Sequence, residues 1–431
     1  MIAIVGAGAA GVSAALRLGE LGADEEVCLV GAEAVLPYER PALSKEFLSS
    51  PDPQDPPPLA PGGLDGVALE IDSEVVSIDT TARRLALAGG RELRYDKLLL
   101  ATGARPRRLA LPGVDLAGVH YLREYQDARR LRTALLAAQR IVILGGGVIG
   151  LEVAASAAAL GCAVTVVEID SQVMGRVVPE PLAAAVAELH AARGVEVLTS
   201  ARAAAIEGGG GRVGCVRLES GDGLPADLVL IGVGAEPCSD LAVDAGIETD
   251  DGILVDEYFR TSVDGVFAAG DVARVLHAGE RRHLRLEQWQ TAQAQGGCAA
   301  MSILGIGEPY RDVPWMWSDQ HDAHVQVAGF GFADAELVRR GELADRGGLT
   351  FLAVRDGRLA AVAGLSKGAG VARTVRPAMK LIQQQTPITV EQISDTTIAV
   401  ADLARELLGK APAQPPGWST LDERRTAESA Q

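Results

Sequence analysis

Two glycine clusters carry the chemistry that can be read first. Gly6-Ala7-Gly8-Ala9-Ala10-Gly11 and Gly145-Gly146-Gly147-Val148-Ile149-Gly150 share the spacing G-x-G-x-x-G. In such a turn the first glycine permits a tight bend, the second lets the backbone approach a pyrophosphate, and the third lets helix and strand pack closely. The helix that follows presents amide donors to phosphate oxygens. Glu33 and Glu168 each stand just past the next apolar run, where a carboxylate accepts hydrogen bonds from ribose hydroxyls. Beside the ribose 2′-oxygen, Glu168 would repel the 2′-phosphate of NADP, so the second cluster favours NADH.

Each cluster needs a strand before it and a helix after it. Met1-Ile2-Ala3-Ile4-Val5 and Ile141-Val142-Ile143-Leu144 read as buried strands, and the helices run through Leu21 and Leu160. Val27-Cys28-Leu29-Val30 and Val164-Thr165-Val166-Val167 read as the next strands. A lone G-x-G-x-x-G is weak evidence, but with this context on both sides the chain is expected to bind two dinucleotides.

At 431 residues, 48% hydrophobic and 23% charged, the chain has material for packed cores and is too long for one. A net charge of -17 argues against nucleic acid, whose phosphates need a basic face. No apolar run reaches the ~18 residues of a membrane helix, and the N-terminus lacks the basic start of a signal peptide, so no membrane and a cytoplasmic location are expected. The five cysteines, Cys28, Cys162, Cys215, Cys238 and Cys298, form no C-x-x-C or C-x4-C pair. They read as incidental thiols in a reducing compartment, and no metal site is expected.

Further motifs follow in order: Pro37-Tyr38-Glu39-Arg40-Pro41-Ala42-Leu43-Ser44-Lys45, Tyr95-Asp96-Lys97-Leu98-Leu99-Leu100-Ala101-Thr102-Gly103 and Gly232-Val233-Gly234-Ala235-Glu236-Pro237. Then come Val266-Phe267-Ala268-Ala269-Gly270-Asp271-Val272, Arg285-Leu286-Glu287-Gln288-Trp289 and Pro314-Trp315-Met316-Trp317-Ser318-Asp319-Gln320. On these, from Met1 to about Leu408, the chain resembles the pyridine-nucleotide-disulfide oxidoreductase superfamily. Within it, the resemblance is to the FAD-dependent, NADH-using ferredoxin reductases of bacterial oxygenase systems.

The resemblance implies an α/β fold of two Rossmann-like dinucleotide-binding domains, for FAD and NAD, plus a C-terminal α+β domain. The expected layout is an FAD segment over 1–109, an inserted NAD domain over 110–240, a second FAD segment over 241–315, the C-terminal domain over 316–409 and a disordered tail over 410–431. Gly6, Gly8, Gly11, Glu33, Arg40, Ala101, Thr102, Gly103, Gly270, Asp271, Glu287 and Trp289 are implied to hold FAD. Asp271 taken alone also suits the N-cap of a following helix. Gly145, Gly147, Val148, Ile149, Gly150, Glu168 and Gly234 are implied to hold NADH. Lys45 is implied to lie near the isoalloxazine, where a cation stabilises the anionic reduced flavin. Glu152, read as lying on the first turn of its helix where the dipole favours an acid, is implied to sit between flavin and nicotinamide and to pair with Lys45. Trp317 is implied to cover the nicotinamide side or to lie towards the acceptor.

The implied reaction is hydride transfer from NADH C4 to flavin N5, followed by single-electron release to a [2Fe-2S] ferredoxin serving an oxygenase or cytochrome P450. No cysteine lies between Cys28 and Cys162, which disfavours disulfide reductases and cysteine-dependent oxidases or peroxidases. The alternatives are an NADH-sensing flavoprotein of the apoptosis-inducing-factor kind with slow turnover, and an NADH oxidase with another acceptor. A homodimer is left open. An acidic chain needs a local basic patch to receive an acidic ferredoxin. Arg281 with Arg282, Arg339 with Arg340, and Arg373 with Arg376 and Lys380 are the candidates. The Pro-rich stretch 51–63 departs from the family pattern.

Overall fold

The computed structural model describes residues 1–409, so the tail at 410–431 lies outside the described residues. Ile2–Val5, buried along its length, is the middle strand of a five-stranded parallel sheet. Ile2 faces Val27 on one side and Lys97 on the other. Val27–Val30 continues to Val67–Glu70, and Lys97–Leu100 continues to Val266–Ala268. A strand from late in the chain thus completes the N-terminal sheet. The strands read as apolar runs because both faces are covered. On one of them Ala9–Glu20 packs against Trp289–Ile303 so closely that a Cβ on Gly296 would lie 2.1 Å from the Ala10 carbonyl oxygen.

The second parallel sheet orders Val195–Leu198, Ala163–Val167, Arg140–Leu144, Leu228–Ile231 and Val119–His120. In both sheets the glycine cluster follows a strand flanked on both sides, so chain order reverses there. That opens a crevice at the carboxyl ends of the strands, the usual ligand position in such sheets.

The third sheet is antiparallel, in the order Trp315–Gln320, Ala323–Gly329, Arg358–Lys367, Leu349–Arg355 and Glu336–Arg340. Its central hairpin turns at Asp356 and Gly357, with φ of 52° and 68°, the left-handed pair a two-residue hairpin needs. Ala372–Gln383 covers one face with Val375, Ala378, Leu381 and Ile382. Two short helices follow, Val390–Ser394 and Val400–Gly409. The Asp395 carboxylate accepts from the Thr397 amide and hydroxyl, and this local turn competes with the helix.

Met316, Val325 and Leu365 on the other face share a core with Leu151 of the second fingerprint helix and with Leu43 and Phe47. The antiparallel sheet is therefore clamped onto the helix that carries Glu152. The Pro-rich stretch is packed down: Pro58 bridges Tyr38, Leu59 is buried, and the Tyr125 hydroxyl donates to Asp55.

Candidate active site

The two glycine turns have the same internal geometry. Gly6 and Gly145 have φ of 114° and 108°, where a side chain is strained. A Cβ on Gly6 would lie 2.1 Å from the Ala101 carbonyl oxygen, and one on Gly145 2.4 Å from that of Gly232. The third glycines are as tight, with Gly11 at 1.9 Å from Gly6 O and Gly150 at 2.1 Å from Gly145 O. The middle glycines differ: a Cβ on Gly8 or Gly147 would meet nothing within 4 Å. Each turn is thus packed at its ends and open at its centre, beside the first amides of Ala9–Glu20 or Val148–Ala159. That cradle fits a pyrophosphate.

Beside the second cradle, Glu168 accepts from the Gly146 amide at 2.6 Å and from the Asp170 amide at 2.9 Å. The loop therefore holds the carboxylate at its mouth. Ile149, the large apolar residue of the turn, is 44% exposed. On the first sheet Glu33 is already engaged, accepting from the Tyr38 hydroxyl and from Arg40 Nη2, each at 2.7 Å. The other Arg40 nitrogen donates to the Arg123 carbonyl at 2.9 Å, so this cation is tied to Glu33 and to the chain leading into the second sheet.

Asp271 does not cap a helix. It sits in a turn that runs straight into the strand Ala273–His277, the middle strand of a three-stranded sheet in which Val275 pairs with Val255. Its carboxylate pairs with Arg123 at 2.9 Å. Arg123 is a site-lining residue absent from every quoted motif, and its guanidinium lies 3.4 Å from where a Gly103 Cβ would be. Thr102 donates to the Cys238 carbonyl at 2.7 Å, and the Gly270 amide to Gln295 at 2.9 Å. Ala101 is buried at the end of its strand, against Gly6. Glu287 pairs with Arg285, and Gly234 has φ of 106° with the Arg176 guanidinium beside it.

Lys45 and Glu152 meet at 3.0 Å, with side chains 10% and 2% exposed. Glu152 is the fifth residue of Val148–Ala159, hence past the first turn and beyond the reach of the helix dipole. Its stabilisation comes from donors instead. Oε2 accepts from Lys45 and the Ser44 hydroxyl, and Oε1 accepts from the Ser318 hydroxyl at 2.6 Å. Burial pushes the carboxyl pKa up, and Lys45, Ser318 and Ser44 pull it back. The Lys45 ammonium also donates to the Pro41 carbonyl at 3.0 Å and lies 6.0 Å from the Trp317 ring centre. Trp317 meets Trp289 edge-on at 5.7 Å and stacks with Trp315 at 5.8 Å. Trp289 Nε1 is buried with no partner among the described residues, a donor free for a ligand.

The geometry therefore gathers Lys45, Glu152, Trp289 and Trp317, adding Ser44, Ser318 and Trp315. No thiol is set up as a nucleophile there. Burial raises the pKa of Cys28 to about 11 and that of Cys298 to about 12, and raises those of Cys162 and Cys238. No described helix is long and apolar enough to cross a membrane, and no metal-binding group of His, Cys, Asp and Glu occurs among the described residues.

Known proteins are similar to this chain over most of its length. The family model described as pyridine nucleotide-disulphide oxidoreductase matches residues 1–296, and one described as reductase C-terminal matches 315–404. The chain is 39% identical over 405 residues to the anthranilate 1,2-dioxygenase system ferredoxin–NAD(+) reductase component of Burkholderia cepacia, covering 92% of this chain and 97% of that one. It is 40% identical over 331 residues to a rubredoxin–NAD(+) reductase of Pseudomonas putida, covering 76% and 86%. A crystal structure of the ferredoxin reductase for the CYP199A2 system of Rhodopseudomonas palustris superposes with a TM-score of 0.88 at 34% identity, covering 94% and 99%.

Proposed function

The chain belongs to the pyridine nucleotide-disulphide oxidoreductase family, and on that premise we propose a division of labour among its residues. The enzyme is an oxidoreductase that uses FAD and NADH and delivers electrons to ferredoxin: NADH and two oxidised ferredoxins give NAD+, a proton and two reduced ferredoxins. FAD, when bound, accepts an electron pair from a nicotinamide and hands electrons on singly.

FAD belongs to residues 1–109 and 241–315, with its pyrophosphate over Gly8, within the turn from Gly6 to Gly11. Ala101, Thr102, Gly103, Gly270 and Asp271 line the path towards the ring, and Arg123, paired with Asp271, is added to them. Glu33 and Arg40 act as a unit at the ribose end. NADH belongs to residues 110–240, on Gly145, Gly147, Val148, Ile149 and Gly150, with Glu168 taking the ribose hydroxyls and Gly234 bordering the site. Residues 316–409 bring Trp317 beside Lys45 and Trp289, where the two indoles would exclude water from the reacting groups, and Glu287 would stand with the FAD residues.

Lys45 supplies positive charge beside the ring and Glu152 fixes where that charge stands. The protein's contribution would be to position the two rings and to stabilise the charge that reduction brings, with no side chain acting as a proton base. The observation that carries this reading is the convergence on one buried ion pair of the turn before Glu46, the second fingerprint helix and the C-terminal sheet.

The acceptor is a [2Fe-2S] ferredoxin, and the reaction runs in the cytoplasm. Of the basic clusters, Arg339 pairs with Glu342, Arg340 donates to the carbonyls of Ile393 and Ile398, and Arg282 lies 3.8 Å from Glu280. Arg373, Arg376 and Lys380 stand exposed on Ala372–Gln383 with no carboxylate partner among the described residues. They receive the acidic partner. Reversing Arg373 and Arg376 to Glu should raise the KM for ferredoxin at least tenfold at low salt and leave reduction of the flavin by NADH unchanged. An unchanged KM would place docking elsewhere.

A further inference from the structure

Behind the ion pair runs a chain of hydrogen bonds that the reaction does not call for. Ser318 donates to Glu152 Oε1 at 2.6 Å, and Gln320 Nε2 donates to Ser318 Oγ at 3.0 Å. Gln320 Oε1 faces His190 Nε2 at 2.9 Å, and His190 Nδ1 faces His321 Nε2 at 3.2 Å. Ser318, Gln320 and His190 are fully buried, so none can turn to water instead. The chain links the antiparallel sheet to the helix Glu180–Ala191, which packs against the second parallel sheet. Next to it Arg193 pairs with Asp322, closing its outer end.

The direction of every link follows from one fact, that an ionised carboxylate only accepts. Ser318 must therefore turn its hydrogen to Glu152, which leaves its oxygen to accept from the Gln320 NH2. The Gln320 oxygen then faces His190, which must carry its proton on Nε2 and leave Nδ1 bare. His321 in turn must donate from Nε2. All donors point the same way, and successive links polarise one another. The amide of Gln320 does not readily give up a proton, so the chain orients groups and does not conduct protons. Burial favours the neutral form of both imidazoles: it holds the pKa of His190 below its usual range, with the Gln320 hydrogen bond opposing and Arg193 acting the same way, and brings that of His321 down to about 4, with His190 and Arg193 acting the same way and Asp322 opposing.

We infer that His190 and Gln320 are positioning residues for the Lys45–Glu152 pair: by locking Ser318 as a donor they keep Glu152 ionised, so that its charge offsets Lys45 and lowers the reduction potential of the flavin. Without His190, the Gln320 amide is free to flip. Its oxygen then takes the Ser318 hydrogen, a hydroxyl lone pair faces Glu152, and the carboxyl takes up a proton. Lys45 is left unopposed and stabilises the reduced flavin more strongly. The inference rests on the placement of Lys45 beside the flavin.

The test uses the full chain with its flavin, titrated by a chemical reductant, so neither NADH nor ferredoxin enters. His190→Phe and Gln320→Leu should each raise the two-electron reduction constant tenfold or more, about 30 mV. His190→Gln, whose amide can donate to Gln320, should return it towards the unaltered value. Full flavin content with an unchanged potential in both of the first two variants overturns the inference. Nitrogen-15 spectra of the unaltered protein test it whether or not the variants fold: a neutral His190 protonated on Nε2 supports it, and the Nδ1-protonated tautomer overturns it. A protein that NADH fails to reduce, yet that shows the potential shift and the expected tautomer, would refute the functional reading and leave this one standing.

Discussion

Replacing Glu152 by Leu should be among the most damaging single changes in the chain. Leu fills much of the same space but removes the acceptor for Ser44, Ser318 and Lys45 at once. Three lost hydrogen bonds at about 1 kcal/mol each give about 3 kcal/mol. The Lys45 ammonium, 10% exposed, keeps only the Pro41 carbonyl. Removing one partner of a buried pair costs about 3–5 kcal/mol, and the two routes to the estimate agree. Lys45→Met should cost less, about 1–3 kcal/mol, because Glu152 can escape by taking a proton while keeping its serine partners. In the double variant the stranded charge is gone, so the combined loss should fall short of the sum by about 1–3 kcal/mol. The assay is chemical denaturation of the flavin-free protein, followed by tryptophan fluorescence, for all four members of the cycle. Additive losses, or a Glu152→Leu loss under about 1 kcal/mol, would show that the pair is not a coupled buried unit.

Two further outcomes follow from the cradles and from the second carboxylate. Gly8→Leu should abolish FAD retention and Gly147→Leu should raise the KM for NADH at least tenfold, both in folded protein, because those side chains enter open space. Gly11→Ala should instead prevent folding, since its Cβ would meet the Gly6 carbonyl at 1.9 Å; equal soluble yields of the three variants would contradict this division. Glu168→Gln should lower the NADH-over-NADPH ratio of kcat/KM at least tenfold, about 1.4 kcal/mol, while the new amide still accepts from Gly146. An unchanged ratio would remove Glu168 from coenzyme selection.

How much of this was legible beforehand depended on how local the cause was. The glycine turns are local: strain at positive φ and the need for a bare Cα are properties of a few consecutive residues, and strand and helix flank them within one unit. Lys45 and Glu152 came with the family resemblance, because nothing in either residue's surroundings in sequence points across 107 positions to the other. Ser318 was harder still. A serine carries no periodic signal, and its role exists only because the antiparallel sheet lands on the second fingerprint helix, 166 positions away. Arg123 joined Asp271 across 148 positions from outside any motif. Where local reasoning erred, tertiary pairing had overridden it: Asp271 looks like a helix cap, but a strand pairing with Ile253–Val255 follows it. Glu152 looked like a first-turn acid, and its place is set by donors from two other segments.

All of these residue roles depend on the route from NADH through flavin to a protein acceptor. Its most direct test is rapid mixing of the purified flavoprotein with NADH, alone and with a [2Fe-2S] ferredoxin and cytochrome c. NADH should bleach the flavin within one turnover, and cytochrome c reduction should remain near background until ferredoxin is added and then rise with its concentration. A flavin that NADH leaves oxidised, or cytochrome c reduction indifferent to ferredoxin, would contradict it.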